Sequence, residues 1–231
     1  TYCGRTINYF NPALRQERTV PMLAVKEPNE PSHGWEKKAF FRLPSRWRGH
    51  VISDKDSFLV ESEGQLFLFH RPHLDDEGHY LLVSRISQKF EELIQNGVKE
   101  IQVSDPVQIL WPAKFEEKIG WATPPIRLRP KEYVVLIHAV GREMKAYKVM
   151  AVQLEFDQEI SVKAVTPRYI MVPQTPYEVF GDRPHTIFPC GVSCYQDDKY
   201  LISYGAADHF AAIGEFNLND LLAELDKGRI F

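Results

Sequence analysis

A chain of 231 residues can bury a core as one domain or divide into two small ones. Its 44% hydrophobic and 26% charged residues are ordinary for a globular protein, and no apolar run approaches membrane-spanning length. The net charge of −3 excludes a general basic field for nucleic acid, so an anionic ligand would need a local cluster of basic side chains.

The chain opens Thr1-Tyr2-Cys3-Gly4, which reads as the end of a strand, with no initiator Met and no signal peptide. It is therefore expected to begin inside a fold. A hairpin follows at Phe58-Leu59-Val60, turning at Glu63-Gly64 and returning through Leu66-Phe67-Leu68-Phe69. A third strand is predicted from His79 to Ile86, then a short helix from Ser87 to Asn96, capped by Ser87 and stopped by Gly97.

The pattern recurs. A turn at Arg129-Pro130-Lys131 leads into Tyr133-Val134-Val135-Leu136-Ile137, with a partner strand from Ala146 to Phe156. Another turn at Asp197-Asp198 leads into Tyr200-Leu201-Ile202, with a partner from His209 to Phe216, and a closing helix runs from Asn219 to Lys227 before Gly228. The strand ends align on Tyr2, His70, His138 and Tyr204, separated by 70 − 2 = 68, 138 − 70 = 68 and 204 − 138 = 66 residues. A period near 67 with three or four strands per unit predicts an all-β β-propeller, with about three and a half blades in residues 1–231 and minor helices. The alternative is a β-sandwich with coincidental spacing. The 231 residues are expected to form a single propeller domain, incomplete at its N-terminus.

Of three cysteines, Cys190 and Cys194 lie four apart on a predicted strand. That spacing puts their Cα atoms about 13 Å apart, beyond disulfide reach, so both are expected to be buried apolar residues. No phosphate-cradling glycine loop, Gly-x-Ser-x-Gly elbow or Cys-x-x-Cys pair is present.

Four polar stretches sit at blade ends. Asp54-Lys55-Asp56-Ser57 leads into a strand whose hairpin partner ends at His70-Arg71-Pro72; Arg71 can grip a phosphate or carboxylate with two prongs, or pair with Asp75 or Asp76 at the surface. Lys118 precedes the stiff Thr123-Pro124-Pro125, and is either an anion ligand held in place or a solvated lysine. His138, with Tyr147 on the following strand, is either structural or functional, and His70, His73 and His79 match no metal-ligand spacing, so no metal is expected. Tyr204-Gly205-Ala206-Ala207-Asp208 places small residues before an aspartate that can hold two sugar hydroxyls or cap its own turn.

Taken in order, these stretches resemble glycoside hydrolase family 130, the β-mannoside phosphorylases and their hydrolytic relatives. The matching residues are Lys55-Asp56, Phe69-His70-Arg71-Pro72, Lys118-Ile119-Gly120, Thr123-Pro124-Pro125-Ile126, Leu136-Ile137-His138, Tyr147, Phe188-Pro189-Cys190-Gly191 and Tyr204-Gly205-Ala206-Ala207-Asp208. The resemblance implies a five-bladed propeller that cleaves β-mannosides with inversion, using inorganic phosphate as co-substrate and no cofactor, to give α-mannose 1-phosphate and a shortened sugar. It implies that Lys55, Arg71, Lys118, His138 and Tyr147 bind phosphate and that Asp208 binds the mannose. The family's general acid stands in an Asp-Pro-Arg motif that this sequence does not contain; it is expected upstream of Thr1, and the 231 residues alone are expected to be inactive. Arg5 to Gln16 matches the family's usual loop poorly. The alternatives are a hydrolase of the same family and a non-catalytic sugar-binding propeller. The expected partner is an oligosaccharide or β-mannoside, without nucleic acid or membrane, in the cytoplasm; a homo-oligomer is left open.

Overall fold

A computed structural model describes residues 2–11, 16–26, 34–95 and 97–230. The chain divides into two compact units, Thr1–Ile109 and Leu110–Phe231.

The first unit begins with β1 (Tyr2–Asn11), β2 (Gln16–Val25) and β3 (Glu36–Arg42), followed by the one-turn α1 (Ser45–Arg48). Next come β4 (Val51–Ser62), β5 (Gln65–Leu74) and β6 (Leu82–Ile86); α2 (Phe90–Leu93) then leads to β7 (Lys99–Gln102) and β8 (Ser104–Gln108). The strands make two sheets of order β1-β2-β3-β7 and β4-β5-β6-β8. The β4–β5 turn works because Glu63 and Gly64 both take positive φ, 52° and 77°, the mirror-image geometry that matches strand twist. Leu23, Phe41, Leu59, Leu68, Leu82 and Ile101 form one buried cluster between these sheets. Each such side chain contributes about 1.5–3 kcal/mol on leaving water.

The second unit runs through β9 (Glu116–Trp121), β10 (Ile126–Arg129), β11 (Glu132–Gly141), β12 (Tyr147–Phe156) and β13 (Ile160–Val165). It continues with α3 (Pro176–Val179), β14 (Ile187–Gln196), β15 (Lys199–Ala206), β16 (Phe210–Asn217) and α4 (Leu218–Asp226). The sheets are β10-β11-β12-β13, with β9 also on β11, and β14-β15-β16. Leu136, Val149, Ala151, Ile202, Tyr204, Leu221 and Leu225 fill the space between them.

The sheets are propeller blades, as the repeat predicts. The first sheet has three antiparallel strands of its own, and β7 joins β3 in parallel after α2. Tyr2 starts β1 rather than closing a strand, and Arg5–Asn11 is ladder rather than loop, paired residue by residue with β2. Thr1 and residues 12–15 lie outside the described residues.

Two local expectations are corrected. The helix after β6 is one turn, Phe90–Leu93, with Lys89 and not Ser87 at its N-cap; four residues bury one apolar side chain, Leu93. The predicted end at Asn96 lies outside the described residues. Cys190 and Cys194 are exposed, not buried. Cys190 sits at a register shift between Pro189 and Gly191, on the face opposite the buried Ile187 and Pro189, so its side chain points away from the core. At the other end, Asn217 caps α4 by accepting from the Asn219 and Asp220 amides. No helix among the described residues is long and apolar enough to cross a membrane.

Both units use the same device to tie one blade to the next. After its third strand and a helix, the chain crosses back to the outer strand of the preceding blade: β7 onto β3, and residues 228–230 onto β13. The second crossing rests on Val165 N donating to Gly228 O (3.1 Å) and Ile230 N donating to Lys163 O (2.9 Å). A Cβ on Gly228 would lie 1.8 Å from the Val165 carbonyl oxygen, so only glycine permits the approach. Gly228→Ala is expected to lower unfolding stability by roughly 1–3 kcal/mol, read from urea denaturation; an unchanged midpoint would show that the crossing contributes nothing.

Candidate active site

In the first unit, Lys55 and Arg71 are directly paired across β4 and β5 and therefore share a face of the sheet. Arg71 is not the surface ion pair with Asp75 or Asp76 that the sequence allows. Its side chain is buried, and its Nε donates to Asp56 Oδ2 at 2.5 Å while Nη1 donates to His79 Nδ1 at 2.9 Å. The ladder is irregular between Lys55 and Phe58, and Asp56 takes φ 52° there. That bulge turns the Asp56 carboxylate onto the guanidinium. Asp75 pairs instead with His50, and Asp76 accepts from Tyr80 and the Gly78 amide.

Behind Arg71 lies a sealed polar chain. His70 Nδ1 meets Asp54 Oδ2 at 2.7 Å and its Nε2 meets Ser84 Oγ at 2.8 Å, all three residues being buried. The carboxylate can only accept, so Nδ1 carries the proton. The order Asp-His-Ser mimics a hydrolytic triad, but the buried serine is closed to substrate, so its role is to fix β4, β5 and β6 behind Lys55 and Arg71. His73 and His79 stack at 4.2 Å, and no group of three His, Cys, Asp or Glu among the described residues could hold a metal.

In the second unit the ladders do the positioning. Val140 of β11 faces Lys118 of β9 on one side and Tyr147 of β12 on the other, while His138 stands two residues along β11. Direct cross-strand partners and residues two apart share a face, so Lys118, His138 and Tyr147 emerge together. The contacts agree: the His138 and Tyr147 rings are 5.6 Å apart, and Lys118 Nζ is 6.0 Å from the Tyr147 ring centre. Phe188 completes the wall, 4.7 Å from His138 and 5.9 Å from Tyr147.

Arg183 belongs to this group and was missed from sequence. Its guanidinium carbon lies 4.5 Å from the Tyr147 ring centre, on the opening of the blade. The signal was Gly181-Asp182-Arg183-Pro184, a turn whose basic residue has no strand pattern to draw attention to it. Arg183 is held by its own amide, which donates to Ala207 O at 2.9 Å, and Ala207 N donates to Thr186 O at 2.9 Å. Asp208 stands next, exposed in the three-residue turn between β15 and β16, in which Ala207 and Asp208 both have positive φ, 49° and 53°. Neither is glycine, so the turn stores strain of order 1 kcal/mol per residue and survives because its neighbours hold it. A Cβ on Gly181 would meet Ala207 O at 2.5 Å, which is why the Arg183 loop can lie against the Asp208 turn.

Under this turn Glu178 is buried. Its Oε2 accepts from the Gln174 and Thr175 amides (2.9 and 3.0 Å) and its Oε1 from the Tyr204 hydroxyl (2.9 Å). Burial pushes its carboxyl up, but the Thr175 and Gln174 amides and Tyr204 together outweigh it and hold the carboxyl below the ordinary range. Burial, then Tyr177 and Glu178, push the Tyr204 hydroxyl above its ordinary value.

The whole chain up to residue 227 matches the family model of glycoside hydrolase family 130, described as beta-1,4-mannooligosaccharide phosphorylase. Two curated relatives come from Thermoanaerobacter sp. (strain X514). A 1,2-beta-oligomannan phosphorylase is 23% identical over 168 residues, 73% of this chain and 51% of the relative. A beta-1,2-mannobiose phosphorylase is 28% identical over 168 residues, 70% of this chain and 50% of the relative. The chain thus spans about half the length of the curated relatives it matches. Among solved structures, the beta-1,2-mannobiose phosphorylase of Listeria innocua, in complex with beta-1,2-mannobiose, superposes with a TM-score of 0.71 at 18% identity, over 97% of this chain and 57% of that one. A likeness at that identity speaks for the fold alone.

Because the Glu178 carboxyl is depressed in the folded state, its stabilisation is present above the ordinary unfolded value near 4.3 and is lost as pH falls through the folded value. Glu178→Gln is therefore expected to cost about 1–3 kcal/mol at pH 7 and progressively less below about pH 4. Denaturation at several pH values tests this, and a pH-independent deficit would contradict it.

Proposed function

The chain belongs to glycoside hydrolase family 130, and on that premise we propose that its protein is an inverting β-mannoside phosphorylase in which Lys55, Arg71, Lys118, His138 and Tyr147 bind the phosphate and Asp208 binds the mannose. The observation that carries the reading is the common face of Lys118, His138 and Tyr147 in the second unit, with Arg183 over the same tyrosine ring.

The chemistry explains why cations and not a second carboxylate are needed. Inverting hydrolysis uses one carboxyl as acid and a second as base to activate water. Phosphate arrives as an anion and needs no base. One of its oxygens bonds to the anomeric carbon from the face opposite the leaving group, the glycosidic C–O bond breaks, and the leaving oxygen takes a proton from the general acid. Basic groups orient the nucleophile and offset charge as the bonds exchange. The acid itself is proposed to lie upstream of Thr1, in the Asp-Pro-Arg motif of the resemblance. Asp208, exposed on its rigid turn, accepts sugar hydroxyls. An intracellular setting suits the reaction, since phosphate is abundant there.

The test is release of phosphate from α-mannose 1-phosphate with candidate acceptor sugars, on this chain and on a form extended upstream. Turnover by the extended form is expected, falling about 10²–10³-fold in Arg71→Ala or Lys118→Met. Cleavage of β-mannosides that ignores phosphate would instead assign the family's hydrolytic reaction, and glycan binding without turnover a non-catalytic propeller.

A further inference from the structure

Beside Asp208 the second unit carries an open hollow of about 520 Å³, walled by Pro176, Tyr177, Phe180, Asp182, His209 and Phe210. Three of these are large aromatic residues with 40, 71 and 49% of their surface exposed, for Tyr177, Phe180 and Phe210. They come from two segments about thirty residues apart in sequence, the α3 region and the β15–β16 turn. One exposed aromatic residue is ordinary, whereas a cluster rimmed by polar groups marks a binding surface.

The cluster is built rather than accidental. Tyr177 and Phe210 meet edge to face, centroids 6.3 Å apart at 80°, and His209 meets Phe210 at 4.8 Å and 78°. The Tyr177 hydroxyl reaches the Tyr204 hydroxyl at 3.4 Å, which in turn donates to buried Glu178. Gly181 lets the Phe180 segment lie directly on the Ala207 turn. The Tyr177 and Phe210 rings are thus held before any ligand arrives, and little of their freedom is lost when one binds.

We propose that this shelf is a carbohydrate subsite that seats a second pyranose ring, next to the one bound at Asp208. The proposal rests on the mannoside reading of the site. A pyranose ring has an apolar C–H face that suits an exposed aromatic ring and an equatorial belt of hydroxyls that needs polar partners at the edge. Asp182 and His209 supply those partners, with Asp182 Oδ2 and His209 Nδ1 3.8 Å apart and both side chains more than half exposed. Asp208 itself stands one residue from His209, so the shelf is continuous with the proposed mannose position. A phosphorylated ligand would meet the Asp182 carboxylate, and a protein partner would find a small shelf rather than a broad apolar face.

The experiment titrates the chain and its upstream-extended form with β-1,2-mannobiose, β-1,4-mannobiose, mannose and inorganic phosphate by calorimetry, comparing wild type with Phe180→Ala and Phe210→Ala. The Phe180 and Phe210 side chains are 71 and 49% exposed, and thermal denaturation checks that the variants remain folded. Loss of a stacking ring is expected to weaken at least one mannobiose about tenfold and to leave phosphate and free mannose within about twofold. Equal mannobiose affinity in wild type and both variants would overturn the subsite, as would wild type binding neither disaccharide. Concentration-dependent self-association abolished by Phe180→Ala would also overturn it, giving the shelf to a second copy of the chain. Mannobiose binding that needs the rings, without phosphate-dependent turnover, would keep the subsite and remove the phosphorylase reading.

Discussion

The hydrogen-bonded ladder of β11 with β9 on one side and β12 on the other is the constraint on which the second unit's site depends. Eight consecutive residues of β11, Tyr133 to Val140, are buried, so the strand has no freedom to slide. A slip of one residue would send His138 to the opposite face and put an aliphatic side chain where the His138 ring packs against Tyr147 and Phe188. Register alone therefore decides that Lys118, His138 and Tyr147 emerge side by side, although 29 residues separate the first from the last. The apolar residues of these strands supply the energy, and the polar residues at their ends inherit the precision.

The first unit solves the same problem differently. Arg71 also sits on a buried central strand, β5, but its direction is set by side chains. Asp56 leaves the regular ladder through a bulge and a positive φ to reach the guanidinium, and His79 takes one of its terminal nitrogens. The Asp54–His70–Ser84 chain immobilises the backbone on either side. Both ring nitrogens of His70 are satisfied in this chain, while the second carboxylate oxygen of Asp54, Oδ1, is buried without a hydrogen-bond partner among the described residues.

Much of this was legible in the sequence because it repeats. Hairpins at Glu63-Gly64 and Asp197-Asp198 combine turn residues with β-rich flanks, and the spacing of His70, His138 and Tyr204 carries the blade period directly. What could not be read depends on departures from that regularity. The partner of Arg71 is Asp56 and not the closer-seeming Asp75, because a bulge redirects a residue fifteen positions upstream. The exposure of Cys190 follows from which face of β14 is turned to the core, Ile187 and Pro189 being buried, and excluding a disulfide does not reveal that face. Arg183 is invisible to a strand pattern because it lies in a loop, placed by a glycine contact with Ala207 that only three-dimensional packing creates. In β1, polar Arg5, Thr6 and Asn8 look like loop residues, yet the strand pairs with β2 from end to end.

The two units also treat charge differently, and the difference bears on how an anion can be held and released. Around Arg71 the charges balance: Lys55 and Arg71 stand against Asp54 and Asp56 within a few residues of ladder. An arginine already paired with a carboxylate attracts an incoming anion weakly, but its geometry is fixed and its Nη2 makes no hydrogen bond among the described residues. In the second unit, Lys118 and Arg183 lie over the face of Tyr147, and an aromatic ring orients a cation without cancelling its charge. For the phosphorylase proposed above, a carboxylate-paired guanidinium in the first unit and ring-backed cations in the second are, each within its own unit, settings that can meet an anion without trapping it. A cluster of unpaired basic residues would hold phosphate more tightly in the ground state, and tighter ground-state binding adds nothing to the rate of the chemical step.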